Sequence, residues 1–424
     1  MRARRLPDGR TRGPPQPRSA PGLGHDLSRP VLTEIRAQPQ AKAHDRRMPN
    51  ATRPALIDHA LFDPALIARH DISGPRYTSY PTAPQFHAGF GETQLRDYAR
   101  VSNDDPIPQP LSLYVHVPFC MSPCFYCGCT RIITRERGKA GVYLDHLYRE
   151  IEFVAPLFDR DRPLVQLHFG GGTPNFLDVA QMGELLDSLA RHFSFSRNAE
   201  REFGIELDPR WCDADYVRAL APLGFNRVSV GIQDFDPAVQ AAVNRIQSVA
   251  QTRAVLDAAR ASGFRSTSVD LIYGLPRQTL KNFSNTLDQV IDLAPDRIAT
   301  YAYAHLPERF KAQRQIVARD LPDAVARLAL LELTVGKLTA AGYRYIGMDH
   351  FALPGDDLAR AGRRQPAAQL PGLFDPRRLR PDRPRHECDL AYRLELLAER
   401  TRLARLLRRA RRGPPARRAR PRTR

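Results

Sequence analysis

The sequence lacks any long apolar run. Its 424 residues contain no stretch of about 18 consecutive apolar residues, which is the length that a transmembrane helix needs. The N-terminus also lacks the apolar segment of a secretory signal peptide. Outside one short cluster, the only cysteines are the isolated Cys212 and Cys388. Clustered cysteines without disulfide partners elsewhere in the chain are typical of a protein in a reducing compartment. We therefore expect no membrane association and a cytoplasmic location.

Four of the six cysteines lie within Tyr114–Cys129, which reads YVHVPFCMSPCFYCGC. Cys120, Cys124 and Cys127 are spaced C-x3-C-x2-C, and Cys129 follows after one residue. Thiolates are soft ligands that favour iron–sulfur clusters or zinc. Zinc sites usually draw four ligands from two separated pairs, and no second pair exists here. The pattern therefore favours a [4Fe–4S] cluster with three protein ligands and one open iron, over a zinc knuckle or a disulfide.

Basic charge is not spread evenly along the chain, although the net charge is +18. Residues 1–54 carry 12 basic and 4 acidic side chains, residues 355–424 carry 21 and 8, and the 300 residues between them sum to −3. A strongly basic protein suggests a nucleic-acid partner, but here the basicity is confined to the two ends. We expect no nucleic-acid partner, and the alternative of a nucleic-acid-binding protein rests on the ends alone.

The two ends lack a pattern that would build a core. We expect residues 1–54 to be a disordered basic extension, with translation starting near Met48; a mitochondrial presequence is the alternative, disfavoured by nine prolines. Residues 355–424 are rich in arginine and proline. We expect them to be disordered or translated in a shifted reading frame, and the alternative is an RNA- or membrane-surface-binding extension.

Between the ends, short β-branched runs alternate with helical patterns. The predicted strands are Leu113–Val117, Leu164–Phe169, Phe203–Leu207, Arg227–Ile232, Ser266–Ile272, Arg297–Tyr303 and Tyr343–Met348. The predicted helices are Val142–Leu157, Val179–His192, Ala214–Ala221, Thr252–Ser262, Phe283–Leu293 and Asp323–Ala341. Repeated βα units imply a parallel sheet with helices outside, and hence a full or partial barrel with its chemistry at the C-terminal strand ends.

Residues 55–110 precede this repeat and form a separate segment. A helix is predicted at Leu56–Arg69, followed by an extended arm that contains Gly74–Phe86, GPRYTSYPTAPQF. Tyrosine and proline together in an extended segment favour a strap over a barrel mouth, and the alternative is a surface strap without chemistry.

Chemically suggestive residues follow the second and third predicted strands. His168–Pro174 reads HFGGGTP, and successive glycines let a ligand approach exposed backbone amides; a plain turn is the alternative. Glu206 and Asp208 follow in IELDPR. A carboxylate there would hydrogen-bond a ribose or a substrate, and the alternative is an N-cap for the helix after Trp211.

The cysteine run, with an aromatic residue before its third cysteine, resembles that of the radical S-adenosylmethionine (SAM) superfamily. With Cys-Gly-Cys at its end, it resembles the oxygen-independent coproporphyrinogen III oxidases. HFGGGTP, IELDPR, GFNRVSVGIQDF, VDLIYGLPRQT, YAYAHLP and YRYIGMDHFALP follow in the family's order, so the resemblance covers about residues 55–354. It implies an α/β fold, a partial (β/α)6-type TIM-like barrel at 111–354 with an arm over the active site at 55–110. The family's C-terminal domain would be missing or replaced.

The resemblance also implies a set of site residues. Iron ligands are implied at Cys120, Cys124 and Cys127, and Cys129 is a catalytic candidate for electron or proton transfer. The glycine-rich element would hold the methionyl amino group of SAM, Glu206 would bind the same SAM, and the positions from Gln233 onward would contact a second SAM. The implied cofactor-binding positions are Tyr114, Tyr126, Gly171, Gly172, Thr173, Glu206, Gln233, Arg245, Asp270 and Ala304.

The implied reaction converts two propionates of coproporphyrinogen III to vinyl groups, giving protoporphyrinogen IX with a [4Fe–4S] cluster and two SAM molecules. We expect a monomer that takes electrons from a flavodoxin- or ferredoxin-like donor. The alternative is a haem-chaperone-like relative without oxidase activity, which the final Cys-Gly-Cys and the Tyr-Thr-Ser-Tyr-Pro arm disfavour. Because the C-terminal end departs from the family, we expect this chain to cleave SAM but to form little protoporphyrinogen IX.

Overall fold

The computed structural model describes residues 89–362. The basic extension, the helix predicted at Leu56–Arg69, the arm Gly74–Phe86 and most of the arginine-rich end lie outside the described residues. The strands, in chain order, are β1 (Leu111–Val117), β2 (Phe119–Cys120), β3 (Ile132–Ile133), β4 (Pro163–Gly171), β5 (Ser194–Phe195), β6 (Glu202–Leu207), β7 (Arg227–Gln233), β8 (Ser266–Tyr273), β9 (Arg297–Ala302), β10 (Arg344–Gly347) and β11 (His350–Ala352).

One twisted sheet organises this part of the chain, in the order β1-β4-β6-β7-β8-β9-β11-β10. The first six strands of that order run parallel to one another. The short β5 pairs with β4, and β2 and β3 form a separate parallel ribbon beside the cysteines. The α/β fold class that we predicted, a six-stranded parallel (β/α) sheet, is confirmed.

The seventh predicted strand reaches the sheet in an unexpected way. It forms β10, but β11 lies between it and β9 and is antiparallel to both. The turn between the two strands has positive φ at Met348 and Asp349, as a type I′ hairpin requires. Methionine is not a residue from which a type I′ turn is predicted. Strand β11 has only three residues, too few to show the alternation of apolar and polar side chains, so the sequence did not predict the hairpin.

The helices cover the sheet and join its parallel strands. They are α1 (Glu92–Asn103), α2 (Lys139–Val154), α3 (Val179–His192), α4 (Ala214–Leu220), α5 (Pro237–Ala242), α6 (Val249–Ala261), α7 (Leu280–Leu293), α8 (Ala324–Ala340) and α9 (Asp357–Gly362). Asp178, Ser248 and Thr279 form capping boxes at the starts of α3, α6 and α7, which satisfies otherwise orphaned backbone amides. No helix within residues 89–362 is long and apolar enough to cross a membrane.

Helix α1 corrects the expected extended arm in its last part. Leu95 and Ala99 are buried four residues apart on one face of the helix, the spacing at which helical side chains share a face. Asn103 donates to the carbonyl oxygen of Leu157 at 3.0 Å and accepts from Arg162 Nη1 at 2.7 Å. These contacts dock α1 against the end of α2 and the start of β4.

The start of the arginine-rich end also belongs to the folded unit. Asp356 accepts from Arg297 Nε at 2.7 Å, and Asp357 accepts from Arg227 Nη2 at 2.9 Å. Arg227 also donates to Glu202 at 2.8 Å. These buried charges close the end of the sheet where the parallel strands begin, so the boundary that we predicted at residue 355 lies too early.

Candidate active site at the cysteine loop

The cysteine loop leaves β1 and lies across the C-terminal ends of the parallel strands. The amide of Phe125 donates to the carbonyl oxygen of Val243 at 2.9 Å, and Asn244 Nδ2 donates to the carbonyl oxygen of Pro123 at 2.7 Å. Both partners follow α5, which lies beyond β7. The loop is therefore fixed to the opposite part of the strand rim, at the position where barrel chemistry collects.

The thiols of this loop are free and differ in environment. Burial raises the pKa of Cys120 to about 11, although a hydrogen bond from Thr173 opposes the shift. A hydrogen bond from Cys129 lowers the pKa of Cys127 to about 6 and raises that of Cys129 above its usual range. No three His, Cys, Asp or Glu side chains between residues 89 and 362 are arranged to hold a single metal ion.

Asp208 organises two cations beside the loop. It accepts from Arg210 Nη2 at 2.6 Å and from Arg245 Nη1 at 3.3 Å. Burial alone would raise the pKa of Asp208, but the two guanidinium groups hold it below its usual range. The N-cap alternative for Asp208 is wrong, because Asp213 caps α4 through the amide of Tyr216.

The glycines at the end of β4 make room for neighbouring chain atoms. A Cβ at Gly170 would lie 2.8 Å from both Glu206 Oε1 and Tyr114 Oη, and a Cβ at Gly172 would lie 2.7 Å from the carbonyl oxygen of Phe119. Gly171 adopts a φ of +110°, which L side chains rarely adopt. The glycine run therefore lets β4 approach the strand that leads into the cysteine loop.

Thr173 connects the glycine run directly to the loop. Its hydroxyl donates to Cys120 Sγ at 3.5 Å, and the amide of Gly172 donates to the carbonyl oxygen of Val117 at 2.8 Å. The structure thus brings the predicted Gly171, Gly172 and Thr173 together with the first cysteine.

A polar group lies beside the glycines on β1, β4 and β6. His168 Nε2 and Glu206 Oε1 are 3.1 Å apart, and the Tyr114 ring stacks on the His168 ring at a centroid distance of 5.7 Å. The Glu206 side chain remains 42% exposed, so its carboxylate is open to a ligand. His168 belongs to the HFGGGTP motif, but the motif itself does not indicate that this histidine orients Glu206.

Asp270 lies inside β8, three residues before its end. Its carboxylate accepts from Ser229 Oγ at 3.2 Å. Burial, and next the charge of Glu206, raise the pKa of Asp270 to about 7. Arg245 acts in the opposite direction, so Asp270, Glu206 and Arg245 share one electrostatic environment.

Gln233 ends β7 in a conformation that is unusual for a non-glycine residue, with a φ of 72°. Its Oε1 atom is buried and has no hydrogen-bond partner among the described residues. Strained backbone and unpaired buried polar atoms concentrate at functional sites. A Cβ at Gly231 would lie 2.8 Å from Gln233 Nε2 and 3.1 Å from Arg245 Nη2, so the two predicted residues are neighbours.

Gln313 joins the predicted Tyr126 and Ala304, although no motif marked it. Its Nε2 atom donates to the carbonyl oxygens of Tyr126 at 2.9 Å and Ala304 at 3.1 Å. Burial, and next the charge of Cys124, raise the pKa of Tyr126 well above its usual range, so its phenol stays neutral. Gln313 therefore links the cysteine loop to the segment that follows β9.

Comparison with known proteins defines the class first. The profile of the radical SAM superfamily matches residues 114–290. An oxygen-independent coproporphyrinogen III oxidase of Pseudomonas aeruginosa is 51% identical over 310 residues, which cover 72% of this chain and 66% of that protein. The Escherichia coli protein of the same name is 50% identical over 303 residues, covering 71% and 65%.

Structural comparison gives the same result. The solved structure of coproporphyrinogen III oxidase from Escherichia coli, described as a radical SAM enzyme, matches with a TM-score of 0.65 and 48% identity, covering 71% of this chain and 66% of that one. The chain belongs to the oxygen-independent coproporphyrinogen III oxidase family of the radical SAM superfamily. It spans about two thirds of the length of these relatives.

The family implies a [4Fe–4S] cluster and SAM as cofactors, as we predicted. The residues fit both groups. Three soft thiols on one loop suit iron, and the glycine run brings the backbone of β4 close beside them. The carboxylate of Glu206 is partly exposed and the Oε1 atom of Gln233 has no partner among the described residues, so both suit polar ligand groups.

Proposed function

We propose that this chain catalyses the oxygen-independent oxidative decarboxylation of coproporphyrinogen III to protoporphyrinogen IX. One observation carries the proposal: a three-cysteine loop lies directly against a glycine-rich strand end at the C-terminal rim of a parallel sheet. The relatives that are about half identical to this chain carry the name of that activity, and none of them carries a haem-chaperone name. The proposal is therefore the oxidase rather than the chaperone.

Cys120, Cys124 and Cys127 would hold the cluster and leave one iron open to SAM. The chemistry that the cluster and SAM would supply when bound is the one-electron cleavage of SAM and the removal of one hydrogen atom from a propionate β-carbon. Carbon dioxide would then leave and one electron would pass to an acceptor outside this chain, which leaves the vinyl group. The backbone of Gly172 and Thr173 would receive the amino group of SAM. Such chemistry needs water to be kept from the centre. Cys124 is buried, and Cys120 and Cys127 are partly buried, so bound SAM and substrate would have to complete the exclusion of water.

A second SAM would lie beside the first, against Gln233, Arg245, Asp270 and Ala304. The unpaired Oε1 of Gln233 would accept a donor from this ligand, and the Arg245 guanidinium would meet its carboxylate. Two SAM molecules match the two propionates that the reaction consumes, one for each vinyl group formed.

Cys129 is exposed and follows the last proposed iron ligand, which suits a role in electron or proton transfer at the surface. We also propose a monomer that accepts electrons from a flavodoxin- or ferredoxin-like donor at this exposed part of the loop. A cytoplasmic location fits free thiols that must bind iron.

Iron content and turnover test the proposal. Anaerobic reconstitution should give about four iron and four sulfide per chain, and replacing Cys120, Cys124 or Cys127 by serine should abolish both cluster and turnover. Cys129→Ser should keep the iron and lose turnover. Cys212→Ser is the matched control, because Cys212 is a free thiol outside the loop, and it should change neither quantity.

The turnover assay uses reduced protein, SAM and coproporphyrinogen III without oxygen, and it counts 5′-deoxyadenosine and vinyl groups separately. Vinyl groups formed in step with 5′-deoxyadenosine would support the proposed decarboxylation. Deoxyadenosine without vinyl groups would contradict it for the chain as it stands and would reduce the function to SAM cleavage, which is the result expected if the arginine-rich end uncouples the two. No deoxyadenosine from a protein with a full cluster would contradict the proposed function.

A further inference from the structure

Two guanidinium groups converge on a single sulfur of the cysteine loop. Arg210 Nη2 lies 3.5 Å and Arg245 Nη1 lies 3.6 Å from Cys124 Sγ. Cys124 is only 8% exposed, so both contacts lie away from bulk water. A charge-assisted hydrogen bond in such surroundings is stronger than a neutral one in water.

The other two proposed iron ligands have neutral donors instead. Cys120 Sγ accepts from the hydroxyl of Thr173 at 3.5 Å, and Cys127 Sγ accepts from the backbone amide of Cys129 at 3.4 Å. The three sulfurs are therefore not equivalent, because two guanidinium groups contact Cys124 Sγ directly, whereas the charge of Arg131 acts on Cys120 and Cys127 without a hydrogen bond to either sulfur.

A hydrogen-bond network of Asp208 and Asn175 fixes the position of the Arg210 guanidinium group. Its Nε donates to Asp208 Oδ1 at 2.9 Å and its Nη2 donates to Asp208 Oδ2 at 2.6 Å. Asn175 accepts from the backbone amide of Asp208 at 2.9 Å and donates to its carbonyl oxygen at 3.3 Å. The planar guanidinium is thus fixed by a bidentate contact, which aims Nη2 at the sulfur.

The charges do not cancel at this position. Asp208 supplies one negative charge to Arg210 and Arg245 together, so one positive charge remains in excess beside the Cys124 thiolate. Reduction adds an electron to a cluster, and hydrogen bonds to its sulfurs together with nearby charge set its reduction potential. Excess positive charge therefore favours the reduced cluster.

We propose that Arg210 is a positioning residue that acts through Cys124 to raise the reduction potential of the cluster. Asp208 fixes the orientation of the Arg210 side chain. The hydrogen bond from Arg210 Nη2 to Cys124 Sγ would make the cluster easier to reduce before SAM is cleaved. The proposal rests on iron ligation by Cys124, which is part of the proposed function. Arg245 is also proposed to bind SAM, whereas Arg210 makes its two contacts to Asp208 and Cys124.

The test is a potentiometric titration of the reconstituted full-length chain without SAM, followed by electron paramagnetic resonance of the reduced cluster. Arg210→Met should lower the reduced-to-oxidised ratio about tenfold at a given applied potential, which equals a shift of about 59 mV for one electron. Arg210→Lys keeps the positive charge but loses the bidentate guanidinium geometry. Its midpoint potential should therefore lie between that of the unaltered chain and that of Arg210→Met.

Two charge-matched controls separate the sulfur contact from general electrostatics. Arg131→Met removes a charge from the same loop, but Arg131 donates to the backbone carbonyl oxygens of Cys124, Cys127 and Cys129 rather than to a sulfur. Arg218→Met removes an exposed charge on α4. Both should shift the midpoint less than Arg210→Met does.

An unchanged midpoint in Arg210→Met with a full cluster would overturn the proposal, as would an equal shift in Arg131→Met. If Arg210→Met binds less iron than the unaltered chain, Arg210→Lys becomes the test, and an unchanged midpoint there overturns it. An unaltered chain that assembles no cluster overturns the proposed function itself, together with this inference.

Discussion

At the scale of single residues, Asp270 is a carboxyl group placed where ionisation is unfavourable. Burial and the facing Glu206 raise its pKa to about 7, while the hydrogen bond from Ser229 and the charge of Arg245 oppose the shift. A ligand with a donor or a positive charge would relieve this cost. The raised pKa therefore fits a residue that awaits a ligand at the rim of the sheet.

Asp270→Asn should stabilise the SAM-free protein at high pH. An unfolded aspartate has a pKa of about 3.9, so between pH 4 and 7 it ionises in the unfolded state while Asp270 in the folded state resists ionisation. The free energy of unfolding therefore falls as the pH rises from 4 to 7 and does not fall further because of Asp270 above pH 7. The amide should recover up to about 4 kcal/mol at pH 8, on the order of 1.4 kcal/mol per pKa unit, and nothing near pH 4.

Unfolding by urea at several pH values measures this difference. Asp215→Asn is the matched control, because the Asp215 side chain is 88% exposed, and its effect should not vary with pH in this way. A gain for Asp270→Asn that is equally large at pH 4 would contradict the assignment. The same variant should bind SAM more weakly, because the proposed ligand contact is lost.

At the scale of elements, the turn Lys311–Gln315 after β9 fastens the cysteine loop from the far side. Gln313 is 2% exposed, accepts from the amide of Leu306 at 2.5 Å and donates to Tyr126 in the loop. Phe310 lies close to Gly128, where an added Cβ would be 3.0 Å from its ring. The segment after β9 therefore fixes the position of the cysteine loop at Tyr126 and Gly128.

Gln313→Ala should loosen the cysteine loop. It leaves the carbonyl oxygens of Tyr126 and Ala304 and the amide of Leu306 without their partner, and a buried unsatisfied polar group costs about 1–3 kcal/mol. We expect a lower free energy of unfolding and faster loss of the cluster's absorbance in air. Gln315→Ala is the control, because Gln315 lies in the same turn but is exposed. Equal cluster lifetimes in the two variants would argue against the fastening role.

The contrast between motif residues and Gln313 shows what the sequence could reveal. Cysteines, successive glycines and acidic residues at strand ends carry recognisable chemistry, so most of the rim was predictable. Gln313 contacts Tyr126 across 187 positions of sequence, and a glutamine in a loop carries no local signal. Arg210 was missed for a related reason, since its partner Cys124 belongs to a different part of the chain.

The same limit applies to the fold. Apolar runs predicted each strand of the parallel sheet to within a few residues, because a buried strand must be apolar. The hairpin of β10 and β11 depends on positive φ at Met348, which no residue type announces. The charged residues that close the sheet were assigned to a tail, because Asp356 meets Arg297 only in the folded chain.

At the scale of the whole molecule, the two ends of the parallel sheet have different roles. The rim at the strands' C-terminal ends carries the proposed chemistry, and the opposite end is closed by charge. The first residues of β6, β7, β8 and β9 are Glu202, Arg227, Ser266 and Arg297. Ser266 and Arg297 donate to Asp356, and Arg227 donates to Glu202 and Asp357. The two groups meet where Arg227 Nη1 lies 3.9 Å from Asp356 Oδ2, so they form one charged network. This separation of chemistry from stability is typical of (β/α) barrels.

Breaking this network should destabilise the whole domain. Arg297 and Asp356 are 4% and 8% exposed, and the charges of Arg297 and Arg227 hold the pKa of Asp356 below its usual range although burial alone would raise it. Removing one partner of a buried pair leaves the other charge uncompensated, at a cost of about 3–5 kcal/mol. We expect Arg297→Met and Asp356→Leu each to lower the free energy of unfolding by that order.

The double variant should lose less than the two single variants together, because neither charge is then left alone. Urea unfolding of all four proteins gives this coupling directly. Arg265→Met is the control, because Arg265 pairs with Asp357 but its side chain is 29% exposed, and such a pair contributes about 1 kcal/mol or less. Strictly additive losses of unfolding free energy would mean that Arg297 and Asp356 stabilise this end of the sheet through other neighbours rather than through each other.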